Sequence, residues 1–150
     1  MHRILAGLFF LLLLAPAARA TWSILLVDQR TGEVAIGSAT CLTGYDLRQL
    51  ASVVVVGRGA AAAQSYVDTT GRNRVLIRDQ LVLGTPPAQI LALLAAQDPQ
   101  HQTRQYGIVD AQGRSLGFTG TGAGAWAGHL TGRFGTVSYA IQGKIGRAHV

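Results

Sequence analysis

The order in which hydrophobic periodicities follow one another constrains the fold of this chain more than any other feature. Period-two, β-rich segments come first, at residues 22–27, 33–40 and 53–56, and they return from residue 105 onward. Between them, residues 73–83 and 86–97 have the spacing of two helices. Strands, then two helices, then strands predict an α+β domain of packed layers, because βαβ winding would need strands and helices to alternate.

The first two strands are predicted to form a hairpin around a turn at residues 28–32. If Asp28 pairs with Glu33, the same register sets Thr21 opposite Thr40, with Cys41 next to it. Asp28 itself lies roughly 23 Å along the strand from Thr21, at about 3.3 Å per residue. We therefore interpret Asp28 as a turn residue and not as a partner of Thr21.

Glycine, proline and capping residues elsewhere in the chain predict the helix ends and the later hairpins. Gly84 suits the end of the first helix, and Thr85 is predicted to cap the second, with Pro86 at its first position. Residues 41–50 are predicted to be a loop, and residues 120–124 a flexible Gly-rich connector. The last strand pair is predicted at residues 125–130 and 136–142, around a turn at 132–135.

The N-terminus is typical of a secretory signal peptide over residues 1–20. His2 and Arg3 precede an apolar run from Ile4 to Leu14, and Ala18-Arg19-Ala20 is a small-x-small cleavage site. A resident membrane anchor is the alternative, but it needs roughly 20 apolar residues. We expect an exported protein, periplasmic or extracellular, whose mature chain begins at Thr21 and keeps no membrane attachment after cleavage.

The C-terminal residues 144–150 have the character of a sequencing artefact. Residues 145–150 read as the translation of a common sequencing-adapter sequence; the alternative is a real basic tail. We therefore expect a domain at 21–143 that lacks its C-terminal part. Without the leader and this tail, nine basic residues face seven acidic ones, instead of 13 and seven, so nucleic acid is not an expected partner.

Metal and cofactor chemistry find no support in the sequence. Cys41 is the single cysteine, and no CxxC or HExxH spacing occurs. The Gly-rich segment at 120–124 lacks the spacing of a dinucleotide-binding loop. We expect neither a metal nor a cofactor.

Cleavage after Ala20 would place an α-amine and a hydroxyl on the same residue, Thr21. A terminal amine has a pKa of about 7.7–8.0, so it can act as the base toward its own hydroxyl at neutral pH. This arrangement is that of an N-terminal nucleophile. The alternative is that threonine is an ordinary residue after a cleavage site.

Several short stretches, in this order and spacing, resemble the bacterial family catalogued as domain of unknown function 1028. The stretches are 21–24, 31–34, 63–67, 104–110, 118–120, 126–129 and 139–143, that is TWSI, TGEV, AQSYV, RQYGIVD, FTG, WAGH and YAIQG. The resemblance implies a fold related to the N-terminal nucleophile (Ntn) hydrolases, an αββα sandwich with the nucleophile at the head of a central strand. It departs at Lys144, where relatives place Asn, and at Cys41, near which relatives often carry a basic residue.

The candidate site consists of Thr21 as the nucleophile and a set of supporting or substrate-contacting residues. Gln64 and Ser65 either donate to an oxyanion or satisfy backbone groups at a strand end. His129 either orients a substrate or makes a structural hydrogen bond. The supporting candidates are Thr40, Cys41, Gln64, Ser65, Trp126 and His129.

The leading hypothesis is an exported amidase or peptidase-like hydrolase that cleaves C–N bonds. Small amides or peptides, including peptidoglycan fragments, are the expected substrates because of the compartment. The alternative is a catalytically silent cell-envelope binding domain on the same fold, which the cysteine at position 41 favours. A third possibility is that the fragment does not fold stably alone. The sequence indicates no particular oligomeric state.

Overall fold

A computed structural model of the chain describes residues 20–145, and eight strands within them form two antiparallel sheets. Except for Ala20, the leader predicted at 1–20 lies outside the described residues, as do residues 146–150 of the proposed tail. Lys144 and Ile145 belong to the last strand. The α+β class predicted from the periodicities is confirmed.

Sheet A combines the two ends of the described chain. Its first strand lies between the second and the eighth, in the order β2-β1-β8-β7. Side chains of β1 alternate between buried and partly exposed, so one face of this sheet is turned inward. The strands are β1 (Thr21–Asp28), β2 (Val34–Thr40), β7 (Trp126–Phe134) and β8 (Val137–Ile145).

Sheet B is built from the middle of the chain, in the order β3-β4-β5-β6. Its two central strands are buried on both faces, since sheet A covers one face and helices cover the other. The strands are β3 (Ser52–Val55), β4 (Gly59–Ser65), β5 (Arg104–Asp110) and β6 (Ser115–Thr119).

The two longer helices pack on the outer face of sheet B and bury one stripe each. Ile77 and Leu81 from one helix and Ile90 and Leu94 from the other join Tyr106 in a single core cluster. The helices are α1 (Leu47–Leu50), α2 (Arg72–Leu83) and α3 (Pro87–Gln97), followed by a 3₁₀ turn at His101–Thr103.

A second core cluster lies between the sheets and depends on small side chains. Ala60 and Ala62 of β4 face Leu25 and Val27 of β1, whereas the alternate residues of β4 face the helices. Alanines on this face let the two sheets approach closely at low steric cost.

Three local predictions were wrong. Helix α3 begins at Pro87, with Pro86 at the capping position, because a residue before proline is disfavoured in the helical region. The hydroxyl of Thr85 instead donates to Gln80 Oε1 at 2.7 Å. The predicted loop at 41–50 contains the short helix α1, which is capped by Asp46. Strand β7 extends to Phe134, so the turn predicted at 132–135 is shorter than expected.

Candidate active site

The predicted register of the first hairpin is confirmed, and it sets the position of Thr21. The amide of Asp28 donates to the carbonyl of Glu33 at 2.9 Å, and Gly32 supplies the positive φ that closes the turn. Thr21 consequently lies opposite Thr40, at the head of a strand that has neighbours on both sides. Its side chain faces sheet B and is only 6% exposed.

The hydroxyl groups of Thr21 and Thr40 are hydrogen-bonded to each other at 3.0 Å. The Thr40 hydroxyl also donates to the carbonyl of Ala20 at 3.1 Å. Because Thr40 has a single hydroxyl hydrogen, the Thr21 hydroxyl is the donor in the bond between the two threonines. The Thr40 hydroxyl thus accepts a hydrogen bond from Thr21, the candidate nucleophile, and donates one to the carbonyl of Ala20, the residue before Thr21.

Cys41 lies beside Ala20 and is hydrogen-bonded to both of its main-chain polar groups. The amide of Cys41 donates to the Ala20 carbonyl at 3.1 Å, which continues the β1–β2 ladder by one step. The amide of Ala20 donates to Cys41 Sγ at 2.9 Å. The thiol of Cys41 therefore lies against the residue before Thr21.

Gln64 and Gln105 form a buried amide pair between the sheets, directly behind Thr21. Gln64 Nε2 donates to the Thr21 carbonyl at 3.3 Å and to Gln105 Oε1 at 3.0 Å. Gln64 Oε1 accepts from Ser23 Oγ at 2.6 Å. The Gln64 amide is thus fully engaged within the protein, as expected for a group that satisfies buried polar atoms.

Gln105 extends this network to strands β7 and β8 of sheet A. Its Nε2 lies within 3.2 Å of the carbonyls of Gly128 and Gly143 and of Thr119 Oγ1. Thr119 in turn contacts His129 Nδ1 at 2.9 Å. The amide pair therefore joins the head of β1 to the neighbouring strands of sheet A.

Ser65 ends β4 in a backbone conformation that side chains disfavour, with φ at 80°. Its hydroxyl donates to the carbonyl of Ala123 at 2.8 Å, so this hydroxyl stabilises the Gly-rich segment. Gly120 and Gly122 in the same segment donate from their amides to the carbonyls of Arg104 and Gln102. The segment predicted to be flexible is thus held by hydrogen bonds along its length.

A pocket of about 430 Å³ opens over Thr21. It lies between the start of β1, the end of β2 and the loop after β4. This volume lies within the usual range of small-molecule sites. Tyr45 and Tyr66 are about half exposed on its walls, and the ammonium of Lys144 lies 5.3 Å from the ring centre of Tyr66. The lining residues that bear polar side chains are Thr21, Thr40, Tyr45, Gln64, Ser65, Tyr66, Thr69, Gln100, Arg104 and Lys144.

Arg104 borders the pocket and forms a buried ion pair with Asp98. Arg104 Nε lies 2.8 Å from Asp98 Oδ2, and both side chains are 8% exposed. Burial alone would raise the pKa of Asp98, but hydrogen bonds from Arg104 and Asn73 outweigh this effect and lower the pKa to about 2. Another guanidinium nitrogen, Nη1, donates to the Tyr66 carbonyl. Arg104 thereby anchors the loop that carries Tyr66.

The structure brings some of the sequence candidates together and separates others. Thr21, Thr40, Gln64 and Ser65 line one pocket, and Cys41 adjoins it. Trp126 pairs with Ile145, so it lies on the face of sheet A opposite to Thr21. His129 shares the inner face but lies two strands away, where it packs against Gly117.

Sequence reasoning missed Gln105, Arg104 and Tyr66 as residues of this site. All three occur within stretches that carry the family resemblance, and Gln105 is a polar residue at an inward position of a buried strand. That pattern is the signal that could have identified it, because a buried amide needs partners. Arg104 gave no comparable signal, since its partner Asp98 lies upstream, on the other side of the 3₁₀ turn at His101–Thr103.

Within residues 20–145, no cluster of three or more His, Cys, Asp or Glu side chains is placed to hold a metal ion. None of the helices in the same stretch has the length and hydropathy that a membrane span requires.

Comparison with known proteins places this geometry in context. A family model described as "Family of unknown function (DUF1028)" matches residues 21–145, which confirms the resemblance seen in the sequence. No curated protein matches the chain.

Among solved structures, the crystal structure of protein SPO2555 from Silicibacter pomeroyi, which carries the same family model, aligns with a TM-score of 0.65 at 24% sequence identity. The alignment covers 83% of this chain and 54% of that one, so the present chain spans about half the length of the relative. At this identity, the likeness concerns the fold alone.

Proposed function

Because the chain belongs to the DUF1028 family, whose function is unknown, we propose an activity from the chemistry of its own residues. The protein is an exported amide hydrolase, and Thr21 is its N-terminal nucleophile. The observation that carries this proposal is the Thr21 hydroxyl at the head of β1, which lines a pocket of about 430 Å³ and is hydrogen-bonded to Thr40. The leader-like residues 1–20 end in a cleavage site, and cleavage there would expose the α-amine of Thr21.

The proposed reaction uses both groups of Thr21. The free amine accepts the hydroxyl proton while Thr21 Oγ forms a bond to the substrate carbonyl carbon. The C–N bond then breaks as the amine delivers that proton to the leaving nitrogen, which gives an ester on Thr21. A water molecule activated by the same amine hydrolyses the ester and restores the hydroxyl.

The layer arrangement supports an Ntn-hydrolase-like αββα sandwich as the finer description of the fold. Helices cover sheet B, whereas the outer face of sheet A exposes Trp22, Leu130 and Phe134, which are 49%, 59% and 85% exposed. Apolar residues concentrated on one sheet face are typical of a surface that another layer covers. In the αββα arrangement, that layer is the second pair of helices.

The proposed substrates are short peptides and peptidoglycan-derived amides. The pocket accommodates a ligand of a few residues, and its walls combine hydroxyl and amide groups with the two tyrosines. These hydroxyl, amide and ring groups suit the polar main chain of a peptide, and the cations Arg104 and Lys144 lie on the same walls. The expected location outside the cytoplasm would bring such substrates into reach.

The test compares Thr21→Ala with a matched threonine variant. We expect Thr21→Ala to lower kcat/KM for amide hydrolysis at least about 1,000-fold, because it removes the atom that forms the covalent bond. Thr131→Ala, on β7 and away from the pocket, should hydrolyse at the wild-type rate. Intact-mass analysis of the exported protein must show a chain that begins at Thr21. Turnover by Thr21→Ala, or a mature chain with another first residue, would rule out this mechanism.

A second candidate function is a catalytically silent envelope-binding domain. The observation that favours it is Cys41 beside Ala20, where the family resemblance leads us to expect a cation that lowers the pKa of the amine. On this reading, the exported protein retains peptidoglycan fragments and releases no product. Equal retention by wild type and Thr21→Ala, with no new mass in the ligand, would favour it over the hydrolase.

A further inference from the structure

The carbonyl oxygen of Ala20 is held by several donors of one short segment. The amide of Cys41 and the hydroxyl of Thr40 each lie 3.1 Å from this oxygen, and Cys41 Sγ lies 3.5 Å from it. We call these three groups the carbonyl site. Its members come from the end of β2 and the residue that follows, opposite the head of β1.

The carbonyl site and the candidate nucleophile share one residue. Thr40 Oγ1 is bonded to Thr21 Oγ1 at 3.0 Å and to the Ala20 oxygen at 3.1 Å. The Thr40 hydroxyl therefore contacts both an oxygen bound at the carbonyl site and the Thr21 hydroxyl. Donors aimed at the oxygen of an acyl group stabilise the negative charge that develops there during nucleophilic attack.

Removal of Ala20 would take its carbonyl oxygen out of the carbonyl site. We infer that the substrate then fills this place: its acyl oxygen binds to the Cys41 amide and the Thr40 hydroxyl, while its carbonyl carbon faces Thr21. This inference rests on the proposed function, and it makes Thr40 and the main chain of Cys41 direct participants in the reaction.

The contacts of Ala20 also define the class of acyl group. Its carbonyl accepts from the Cys41 amide and its own amide donates to Cys41 Sγ, so both main-chain polar groups are recognised. An N-acylated amino acid or an extended peptide residue offers this pair of groups, whereas a simple fatty acyl chain lacks the amide. Ala20 is half-buried, which favours a small side chain such as that of alanine. The substrate class is thus a peptide with a small residue on the acyl side of the cleaved bond, bound by extension of the β1–β2 ladder.

The probe for this site is the tetrapeptide amide Ala-Ala-Arg-Ala-NH₂, which reproduces residues 17–20. It is titrated into exported, ¹⁵N-labelled protein that carries Thr21→Ala, so that no turnover interferes. We expect the Cys41 amide resonance to shift downfield on binding, as for a new hydrogen bond to a carbonyl. A peptide that ends in Leu-NH₂ should bind more weakly because the side chain at this position is half-buried.

Thr40→Val tests the hydroxyl donor. It should weaken binding of the tetrapeptide about 3- to 10-fold, the usual loss for one neutral hydrogen bond. Thr40→Ser should restore the affinity, and Thr131→Val, outside the pocket, should leave it unchanged. The amide spectrum of each variant shows whether the fold is kept, and Thr40→Ser keeps the test valid if Thr40→Val does not fold.

The possible results separate this inference from the proposed hydrolysis. An unchanged Cys41 resonance, or no binding of the tetrapeptide, would overturn the carbonyl site even if wild-type protein hydrolyses amides through Thr21. A shifted Cys41 resonance together with the Thr40→Val loss would establish the site even if no turnover is found. Equal affinities of Thr40→Val and Thr40→Ser would remove Thr40 from it.

Discussion

Arg104 connects three segments of the chain through one buried guanidinium group. It contacts Asp98 after α3, Gln100 in the following turn and the carbonyl of Tyr66 after β4. A buried ion pair is costly to break, since the remaining partner is left charged and poorly solvated. The loop that carries Tyr66 over the pocket is therefore held by a contact that tolerates little change.

The Asp98 carboxylate makes stability depend on acidic pH. Its pKa is lowered from 3.8 to about 2, so the ionised form stabilises the folded state. This contribution is present above the unfolded pKa of 3.8 and is lost progressively as the pH falls from there through about 2. We expect the difference in unfolding free energy between wild type and Asp98→Asn to shrink over that interval. Chemical denaturation at stepwise pH measures it.

The control for this titration is Asp79→Asn. Asp79 contacts Arg78 on the surface, where both side chains are more than half exposed, and such pairs contribute little to stability. Its unfolding curve should follow that of wild type at each pH. A pH-independent difference for Asp98→Asn would contradict the assignment of the buried pair.

At the scale of elements, the end of β4 stores backbone strain at Ser65. Ser65→Gly and Ser65→Ala both lose the hydrogen bond to Ala123, but only glycine adopts the positive φ freely. We expect Ser65→Gly to be more stable than Ser65→Ala by about 1 kcal/mol in the free energy of unfolding.

Ser115 on β6 is the matched serine, because it lies in a strand and its φ is not positive. There the order should reverse, since glycine weakens a strand relative to alanine. Thermal unfolding of the four variants decides the matter, and the same order at both positions would show that Ser65 carries no strain.

The sequence predicted elements better than their ends. The first hairpin register followed from a turn cluster of known length, so the pairing of Thr21 with Thr40 was deducible. Two consecutive prolines made the start of α3 ambiguous, because either can occupy the first helical position. The structure starts the helix at Pro87, since Pro86 precedes a proline and is disfavoured in the helical region. Strand β7 ran past Gly132 because Gly135 supplies the positive φ of the turn.

Only part of the site was predictable from the sequence. Thr40 and Cys41 follow from the hairpin, and Gln64 and Ser65 from the family resemblance. In contrast, Gln105 supports Gln64 through the stacking of the sheets, and Arg104 is held beside the pocket by a buried ion pair. Strand periodicity tells which side chains face inward but not which inward side chains of two sheets meet. Trp126 illustrates the limit, since its motif is shared while its strand position turns it to the opposite face.

For the whole molecule, the distance between the sheets depends on Gly107. A Cβ at this position would lie 2.6 Å from Leu25 Cδ1 and 3.1 Å from Gln142 Oε1. Gly107→Ala should therefore lower the free energy of unfolding by about 1–3 kcal/mol, the usual cost of overpacking a core. Denaturant unfolding measures the loss.

Gly128→Ala is the control on β7, because a Cβ there meets no atom of the described residues within 4 Å. Its stability should equal or slightly exceed that of wild type, since alanine suits a strand better than glycine. Equal unfolding midpoints for the two variants would mean that the sheets separate easily and that their spacing does not limit the core.

The pairing of β1 with β8 has a consequence for the order of assembly. Sheet B and its helices come from one continuous stretch, residues 52–119, whereas Thr21 lies opposite Lys144 in the other sheet. Pairings between distant segments form slowly because a long loop must close first. A chain still being synthesised thus carries its candidate nucleophile early but completes the surrounding pocket only after β8, which supplies Lys144, has been made. The pocket around Thr21 is therefore a late product of folding, because it needs β8 paired with β1.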